Sequence, residues 1–394
     1  MLNSPPFRAI LALFASSVLL SLCGCSAETP DLGIPELSVG EDDSSAKTVN
    51  GEPVREADLK LNVGVGTRFP LRKTIGQTLL QVSPSGNITS NSRLALTFAI
   101  TVDKEEEGRR LLDVVYQRVQ YAHDIFGDKA SYDSANAPEQ LPESFLVYRG
   151  LVGNGFKFWL GAKNRIVEVE GFDEFLKRTV RFAPVHRQQA LLQKIVATQK
   201  DEGFSNFVDD SIGLLPYKAG ALGKESRVRE GDSWTKTRQI MRPLPMTVRT
   251  TYKVSELREK DATIEIVGHI FPVTSTTTAP SASVNKETIT LEQGHSVGSC
   301  VIDLKTGLPL RSRVERILDM SVQTPGQAPY KQHKTITTTI EAFPTSPDTI
   351  YSETTEPGFD ADQVLQTSGQ REASKTSTNT GVGQAKFELE APNR

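Results

Sequence analysis

Cysteine is scarce in this sequence: 394 residues contain three, Cys23, Cys25 and Cys300. With two of them ending the first apolar segment and the third alone far downstream, neither a disulfide scaffold nor a cysteine-rich metal module can be built. Histidine is nearly as sparse. His123, His186, His269, His295 and His333 show no H-x-x-x-H, H-x-H or CxxC spacing, so no metal site and no cofactor are expected. Long apolar runs are missing too. After residue 22 no stretch is long and apolar enough to span a bilayer as a helix.

The one apolar run that exists is short and stands at the start. Arg8 supplies a positive charge, and Ala9 to Leu22 follow as a core of signal-peptide length. Leu22-Cys23-Gly24-Cys25 then resembles the lipobox of bacterial lipoproteins. That resemblance implies removal of residues 1–24 and lipidation of Cys25, whose thiolate is the nucleophile such alkylation requires. Cleavage by an ordinary signal peptidase near Ala27 is the alternative. Two or three acyl chains would anchor the mature chain stably at about 0.8 kcal/mol per buried methylene. Ser26 in place of aspartate after the cysteine points to the outer membrane, facing the periplasm.

Charge is segregated along the chain. Residues 26–57 hold eight acidic and two basic side chains, net −6, and residues 344–394 hold eight and four, net −4. Residues 58–343 therefore carry +6 within a total of −3. Both flanks are poor in apolar side chains, so they read as a disordered acidic tether over 25–57, reaching roughly 30 Å, and a disordered Ser/Thr-rich tail over 344–394. The +6 of the middle reads as a solvated surface, with anionic lipid headgroups or an acidic glycan as the partner if it has one.

Between the flanks, alternation with period two dominates. Leu310, Ser312, Val314, Leu318, Met320 and Val322 share one face of a long strand, opposite Arg311, Arg313, Glu315 and Asp319. Val248, Tyr252 and Val254, then Ile264, Ile266 and Ile270, then Ile336, Thr338 and Ile340 repeat the habit. Ser85-Gly86-Asn87, Ala162-Lys163-Asn164 and Lys305-Thr306-Gly307 are turn-forming. Residues 171–216 differ. Phe172, Phe175 and Leu176; Leu191, Leu192, Ile195 and Val196; and Phe204, Phe207, Val208 and Ile212 form three helical stripes. The expected fold is α+β, predominantly antiparallel β: one β-rich domain, 58–343, made of strand-rich halves 58–170 and 217–343 around a helical insert. The halves are possible duplicates, since Phe156–Leu160 with Ile166–Val169 matches Cys300–Leu304 with Leu310–Val314 in pattern.

Tyr132-Asp133-Ser134, Val152-Gly153 with Phe156 to Val169, Leu215-Pro216, Gly231-Asp232-Ser233-Trp234 and Asp303 with Thr306-Gly307 together resemble a family of bacterial envelope lipoproteins defined by a domain of unknown function. The resemblance covers most of residues 60–343 and implies architecture, because its motifs are turns and strand starts. More loosely, long antiparallel strands with plugging helices are similar to the curved-sheet lipid and lipoprotein carriers of bacterial envelopes, an analogy of fold alone.

Gly294-His295-Ser296-Val297-Gly298 matches the G-x-S-x-G nucleophile elbow, with Asp303 and His333 following in hydrolase order. An elbow needs a helix after the serine, yet Cys300 to Leu304 is alternating and β-branched. A strand is expected there, and a serine hydrolase using Ser296 is the alternative. Cys300 lacks a basic neighbour in sequence and reads as a small buried side chain. Glu105-Glu106-Glu107 before Gly108 reads as a solvated hairpin tip, and Asp209-Asp210 as a helix end. Gly64-Val65-Gly66 and Gly150, Gly153 and Gly155 lack the helix start that cradles phosphate. Arg68, Arg72 and Lys73 with Arg311, Arg313 and Phe69 are candidates for an anionic-lipid patch; nucleic acid is not an expected partner in the envelope. The resulting expectation is a non-enzymatic, membrane-anchored lipoprotein that binds an apolar ligand or an envelope protein, with strand addition at a sheet edge as a third possibility.

Overall fold

Where alternation persists for a dozen residues or more, the chain forms long strands, and these pair into one sheet. The computed structural model describes residues 55–83, 86–161, 166–199, 227–240, 244–273 and 288–342. All of them belong to a unit comprising residues 1–359; a second unit, 360–394, lies outside them. Its first half contains β1 (Glu56–Asp58), β2 (Arg68–Ser83), β3 (Gly86–Glu106), β4 (Arg109–Ile125), β5 (Asp128–Asp133), α1 (Leu146–Leu151), β6 (Gly155–Leu160) and β7 (Ile166–Glu170). Helices α2 (Phe172–Val180) and α3 (Val185–Gln199) follow. The second half contains β8 (Arg227–Arg229), β9 (Ser233–Ile240), β10 (Met246–Leu257), β11 (Asp261–Pro272), β12 (Thr288–Asp303), β13 (Pro309–Gln323) and β14 (Tyr330–Ala342).

Twelve strands make a single antiparallel sheet in the order β7-β6-β4-β3-β2-β14-β13-β12-β11-β10-β9, with β5 added to β4 beside β6. The two halves are joined by β2 and β14, paired from Lys331↔Val82 to Ala342↔Leu71. From that seam the first half runs outward and the second returns inward. The hairpin β6–β7 therefore ends the sheet, whereas β12–β13, its match in sequence pattern, lies inside it. Strands β1 and β8 form a separate two-stranded ribbon, so pairing begins at Glu56, within the segment read as tether.

Hairpin tips carry the chemistry that tight turns demand. Glu107-Gly108 and Phe126-Gly127 both place two consecutive residues at positive φ, the backbone that matches strand twist. The acidic run at 105–107 is thus a solvated tip. Asp303 Oδ2 accepts from the Thr306 N–H (3.0 Å) and the Thr306 hydroxyl, and closes the β12–β13 turn as expected. The turns at 85 and at 162–164 fall wholly or partly outside the described residues, as do Cys25, the tail, Asp209-Asp210 and the third helical stripe.

Two local readings need correction. Leu310, placed on the inward face of β13, is 41 % exposed. A bulge shifts the register there, so that Val301 opposes Arg311 while Ile302 opposes Pro309, and Leu310 is left out of the alternation. Residues 146–151, within the stretch read as strand, form α1. Its Val147, Tyr148 and Leu151 are buried, with Tyr148 stacked on Tyr121 (4.9 Å between ring centroids).

A buried asparagine fixes the helices to the sheet. Asn154 Nδ2 donates to Gly150 O (3.2 Å), Phe175 O (2.9 Å) and Thr179 Oγ1 (3.1 Å), while its Oδ1 accepts from Gly155 N (2.9 Å) and Arg178 Nε (2.7 Å). One side chain thereby meets all its hydrogen-bonding capacity and ties α1, α2 and β6 together. The extended segment Leu59 to Val63 has a similar role at one end of the sheet. Leu59, Leu61 and Val63 are buried in the main core, Leu61 O accepts from Arg110 Nη1 of β4 (2.7 Å), and Asn62 N donates to Thr306 O of the β12–β13 turn (2.7 Å). Residues of both halves consequently share one hydrophobic core.

Candidate functional site

The serine of the G-x-S-x-G sequence sits midway along a regular strand. Within β12, Ser296 opposes Gly268 on one side and Arg316 on the other, and both ladders run through it without a turn. An elbow is therefore absent. Because facing residues share a face and adjacent ones alternate, Ser296 points with Arg316 and Ile336 to one side of the sheet while His295 and His333 point to the other. His333 Nδ1 pairs with Asp319 at 2.6 Å, and Asp303 is committed to its turn. The three residues of the hydrolase alternative are not brought together.

The remaining candidates also resolve one by one. Cys300 is buried, and burial pushes its thiol up to about 12, against which a hydrogen bond with Ser312 acts more weakly. A thiol so protonated at neutral pH is no nucleophile. His269 and His295 face each other across β11 and β12 on the exposed face, and His186 is exposed on α3. No group of three or more metal-ligating side chains occurs among the described residues. The proposed basic patch is divided by strand alternation: Phe69 and Lys73 are buried on the inward face, while Arg72 faces outward and donates to Gln120 (3.3 Å). Leu215-Pro216 lies outside the described residues, and the motifs of the family resemblance that the structure describes have structural partners. Asp133 takes a two-pronged bond from Arg118 (2.7 and 3.0 Å), Ser134 Oγ accepts from Val119 N (3.0 Å), and Asp232 Oδ2 accepts from Arg229 N (3.0 Å).

What the structure does assemble is a polar row on the inward face. Following the register across nine strands from β9 to β4, Lys236, Thr250, Gly268, Ser296, Arg316, Ile336, Gln77, Ser92 and His123 stand side by side. On one side lies the main core, reached through Tyr252, Ile266, Leu94 and Tyr121; on the other lies a smaller cluster that includes Val248, Ile270, Leu318 and Leu79. Thr250, Ser296, Gln77 and Ser92 are each less than a tenth exposed. Flanking rows add Lys73, Arg238, Ser90, Gln81, Gln332 and Lys334.

The row and the rows that flank it are polar without being fully matched. Gln332 is 1 % exposed, and neither its amide oxygen nor its amide nitrogen has a hydrogen-bond partner. The buried Gln81 Oε1, His123 Nδ1 and Trp234 Nε1 likewise have none. Leaving such a group unmade costs about 1–3 kcal/mol, so a native interior that retains several calls for a physical reason. Burial lowers the pKa of His123, opposed by Asp128 and Asp124. Burial, reinforced by the Arg316 charge, holds the Lys334 ammonium down to about 8.

The Lys334 shift has a measurable consequence. A lysine whose folded pKa lies below its unfolded value of about 10.4 opposes folding fully below pH 8, and the opposition is relieved as pH rises toward the unfolded value. With its partly exposed stem discounted for screening, thermal unfolding is expected to shift upward by about 2 °C between pH 7.5 and 9.5 relative to Lys334→Met, which lacks that proton. Parallel melting curves for the two proteins across that range would refute the assignment.

Sequence reading missed this row because it counted apolar positions. The signal was nonetheless present: Arg316 interrupts the series Val314, Leu318, Met320, and Lys334 precedes Ile336, Thr338, Ile340 at the same parity. Polar residues at inward positions of alternating strands mark either an error of register or a functional interior.

Comparison with known proteins adds a family and no activity. No curated protein matches. Among solved structures, lipovitellin, described for its lipid–protein interactions, matches over 71 % of this chain at 10 % identity with a TM-score of 0.36, the match spanning 26 % of the lipovitellin chain. The translocator domain of the Neisseria meningitidis autotransporter NalP matches over 71 % of this chain and 90 % of its own at 8 % identity, with a TM-score of 0.24. Residues 107–309, just over half of the chain, match the model of a family of unknown function, DUF6263, and the chain belongs to that family.

Proposed function

We propose that this protein is an envelope lipoprotein, anchored through Cys25, that holds an amphipathic guest against the inward face of its sheet without transforming it. The observation that carries this reading is the buried polar row set between two apolar clusters, with the Gln332 amide unmatched on both atoms. Apolar walls supply most of the affinity of a ligand site, and a few convergent polar groups fix orientation. An enzyme would instead need a nucleophile beside a base, and Ser296 has no histidine on its face other than His123, five strands away.

Protein produced with its own N-terminal segment and purified from detergent-solubilised membranes is expected to release an acylated compound on organic extraction, at about one per chain. Its N-terminal peptide is expected to start at a diacylglyceryl-modified Cys25. Replacing Ser296 by leucine, which fills the row, should abolish the first result and leave the second intact. A preparation that carries no acylated compound and binds no fluorescent fatty-acid probe would remove the guest-binding reading; an unmodified amino terminus would remove the anchor.

A second reading rests on the sheet edge. β7 pairs only with β6 among the described strands, and a cavity of about 710 Å³ lies along Ile166–Val169 and Gly171–Glu174, with Val167 56 % exposed. An envelope protein adding a strand there is the form of partner binding that this edge suits. A Val167→Pro change would abolish such pairing while sparing guest binding.

A further inference from the structure

Register brings together on the outward face what spacing along the chain keeps apart. His269 on β11 and His295 on β12 are Cα partners, so their side chains leave the sheet at directly facing positions. One row on, Asp319 of β13 accepts from Gln293 Nε2 (3.0 Å) and pairs with His333 Nδ1 of β14 (2.6 Å). Three of the five histidines of the sequence thus lie in two neighbouring rows of four consecutive strands. Their surroundings differ. His333 is committed to Asp319, whereas His269 and His295 are exposed and neither ring is held by a hydrogen bond among the described residues; His269 only stacks on Phe271, at 6.2 Å between centroids. The charge nearby favours a cation. Glu315 and Asp319 stand diagonal to His295 on β13, and Glu315 is held only loosely by Arg313, at 4.0 Å, while Arg249 of β10 is the one cation that faces His269 across the pairing. Gln293 first, then His333 and His295, hold the Asp319 carboxyl below its ordinary range against the opposing effect of burial, so His295 and Asp319 lie close enough to interact.

We propose that His269 and His295 form a chelating pair for a divalent transition-metal ion of the zinc and copper class, on the face of the sheet opposite the guest. Directly opposed strand residues have Cβ atoms about 4.5–5.5 Å apart. Two exposed imidazoles at that separation can turn one nitrogen each toward a common point at the Zn–N distance of about 2.0–2.1 Å. The facing pair is the sheet's counterpart of H-x-x-x-H on a helix, where residues four apart share a face. Imidazole suits zinc, copper and nickel, whereas magnesium and calcium take oxygen ligands, so the pair discriminates by donor type. Two protein ligands leave the remaining coordination positions to water, in keeping with the lack of a group of three ligating side chains among the described residues. An imidazole ligates only as the neutral base, so binding competes with protons and weakens on acidification. A bound ion also ties β11 to β12 and stabilises the folded chain by linkage.

The test titrates copper(II), zinc(II) and magnesium(II) chlorides into the full chain, carrying no added histidines, at pH 7.5. The wild type is expected to bind one copper or zinc ion per chain and no magnesium, and its copper complex to show two imidazole nitrogens in the electron paramagnetic resonance spectrum. His269→Gln and His295→Gln are each expected to weaken copper binding by about tenfold or more, because a single imidazole replaces a chelate, and to leave one nitrogen in the spectrum. His333→Gln is expected to keep both nitrogens. Lowering the pH to 5.5 should weaken wild-type binding by about tenfold or more. Circular dichroism melting without metal shows that each variant folds, and saturating zinc is expected to raise the melting temperature of the wild type and not of His269→Gln/His295→Gln. Equal copper affinity in the wild type and that double variant, a single nitrogen in the wild-type spectrum, or magnesium binding as tight as zinc would overturn the proposal. So would a loss in His333→Gln as large as in His269→Gln, which would place the ion at Asp319 instead of at the facing pair.

Discussion

Replacing Gly150 by alanine is expected to cost about 3 kcal/mol or more, enough to leave much of the chain unfolded at 37 °C. A Cβ built on Gly150 would lie 1.9 Å from Thr179 O and 2.6 Å from its carbonyl carbon, so α1 and α2 would have to separate. Overpacking against backbone allows little relief, because no side chain can rotate away. Separation would also break the Asn154 cluster, whose donors reach Gly150 O, Phe175 O and Thr179 Oγ1 at 2.9–3.2 Å. Asn154→Asp is expected to lose a similar amount by another route, since a carboxylate cannot donate those three bonds and is buried where they were. Urea unfolding measures both. A stable Gly150→Ala protein with an unchanged midpoint would show that the helices are not locked as described.

Gly298→Ala is expected to have the next largest effect, about 2–3 kcal/mol, for a reason that concerns the sheet itself. The added Cβ would meet Arg313 O at 2.3 Å and Val314 Cα at 2.8 Å on the paired strand. Gly268 and Gly294 stand on the same inward side, and their Cβ positions are also occupied, by Ser296 Oγ at 2.2 Å and by Leu318 Cδ2 at 2.8 Å. Three glycines on the neighbouring strands β11 and β12, all on the inward side, thus stand where no room is left for a side chain. Gly76 provides the contrast. It lies mid-strand in β2 with nothing within 4 Å of its Cβ position, and Gly76→Ala is expected to be neutral or to stabilise by up to about 1 kcal/mol. Equal effects at 76 and 298 would contradict the close approach described at Gly298.

Alternation made most individual strands legible. Tyr252, Ile264 and Val254 are buried where period two puts them, and the β-branched run after Ser296 is a strand instead of the helix that an elbow requires. The union of the halves into one sheet was not legible. It depends on β2 meeting β14 across some 260 residues of sequence, and local patterns carry no information about such partners. Helix α1 escaped notice because six residues span fewer than two turns, too few for a helical stripe. For the site, the strand nature of the G-x-S-x-G segment was readable from the alternation after Ser296. The polar row required register. Arg316, Lys334, Gln77 and Gln332 come from three strands separated by hundreds of residues or by a hairpin, and only pairing shows that they share one face.

The central claim, that a guest's acyl chain lies against the inward face, can be tested with the two native tryptophans. Trp234 faces inward on β9, stacked on Tyr252 at 5.6 Å between centroids. Trp159 lies elsewhere, its Nε1 donating to Glu170 (2.6 Å) and its ring beneath Lys104 and Arg109. Titration with an acyl chain brominated near its middle is expected to quench fluorescence strongly in Trp159→Phe, where Trp234 alone emits, and weakly in Trp234→Phe. Equal quenching in the two proteins, or none when Trp234 is the only emitter, would contradict it.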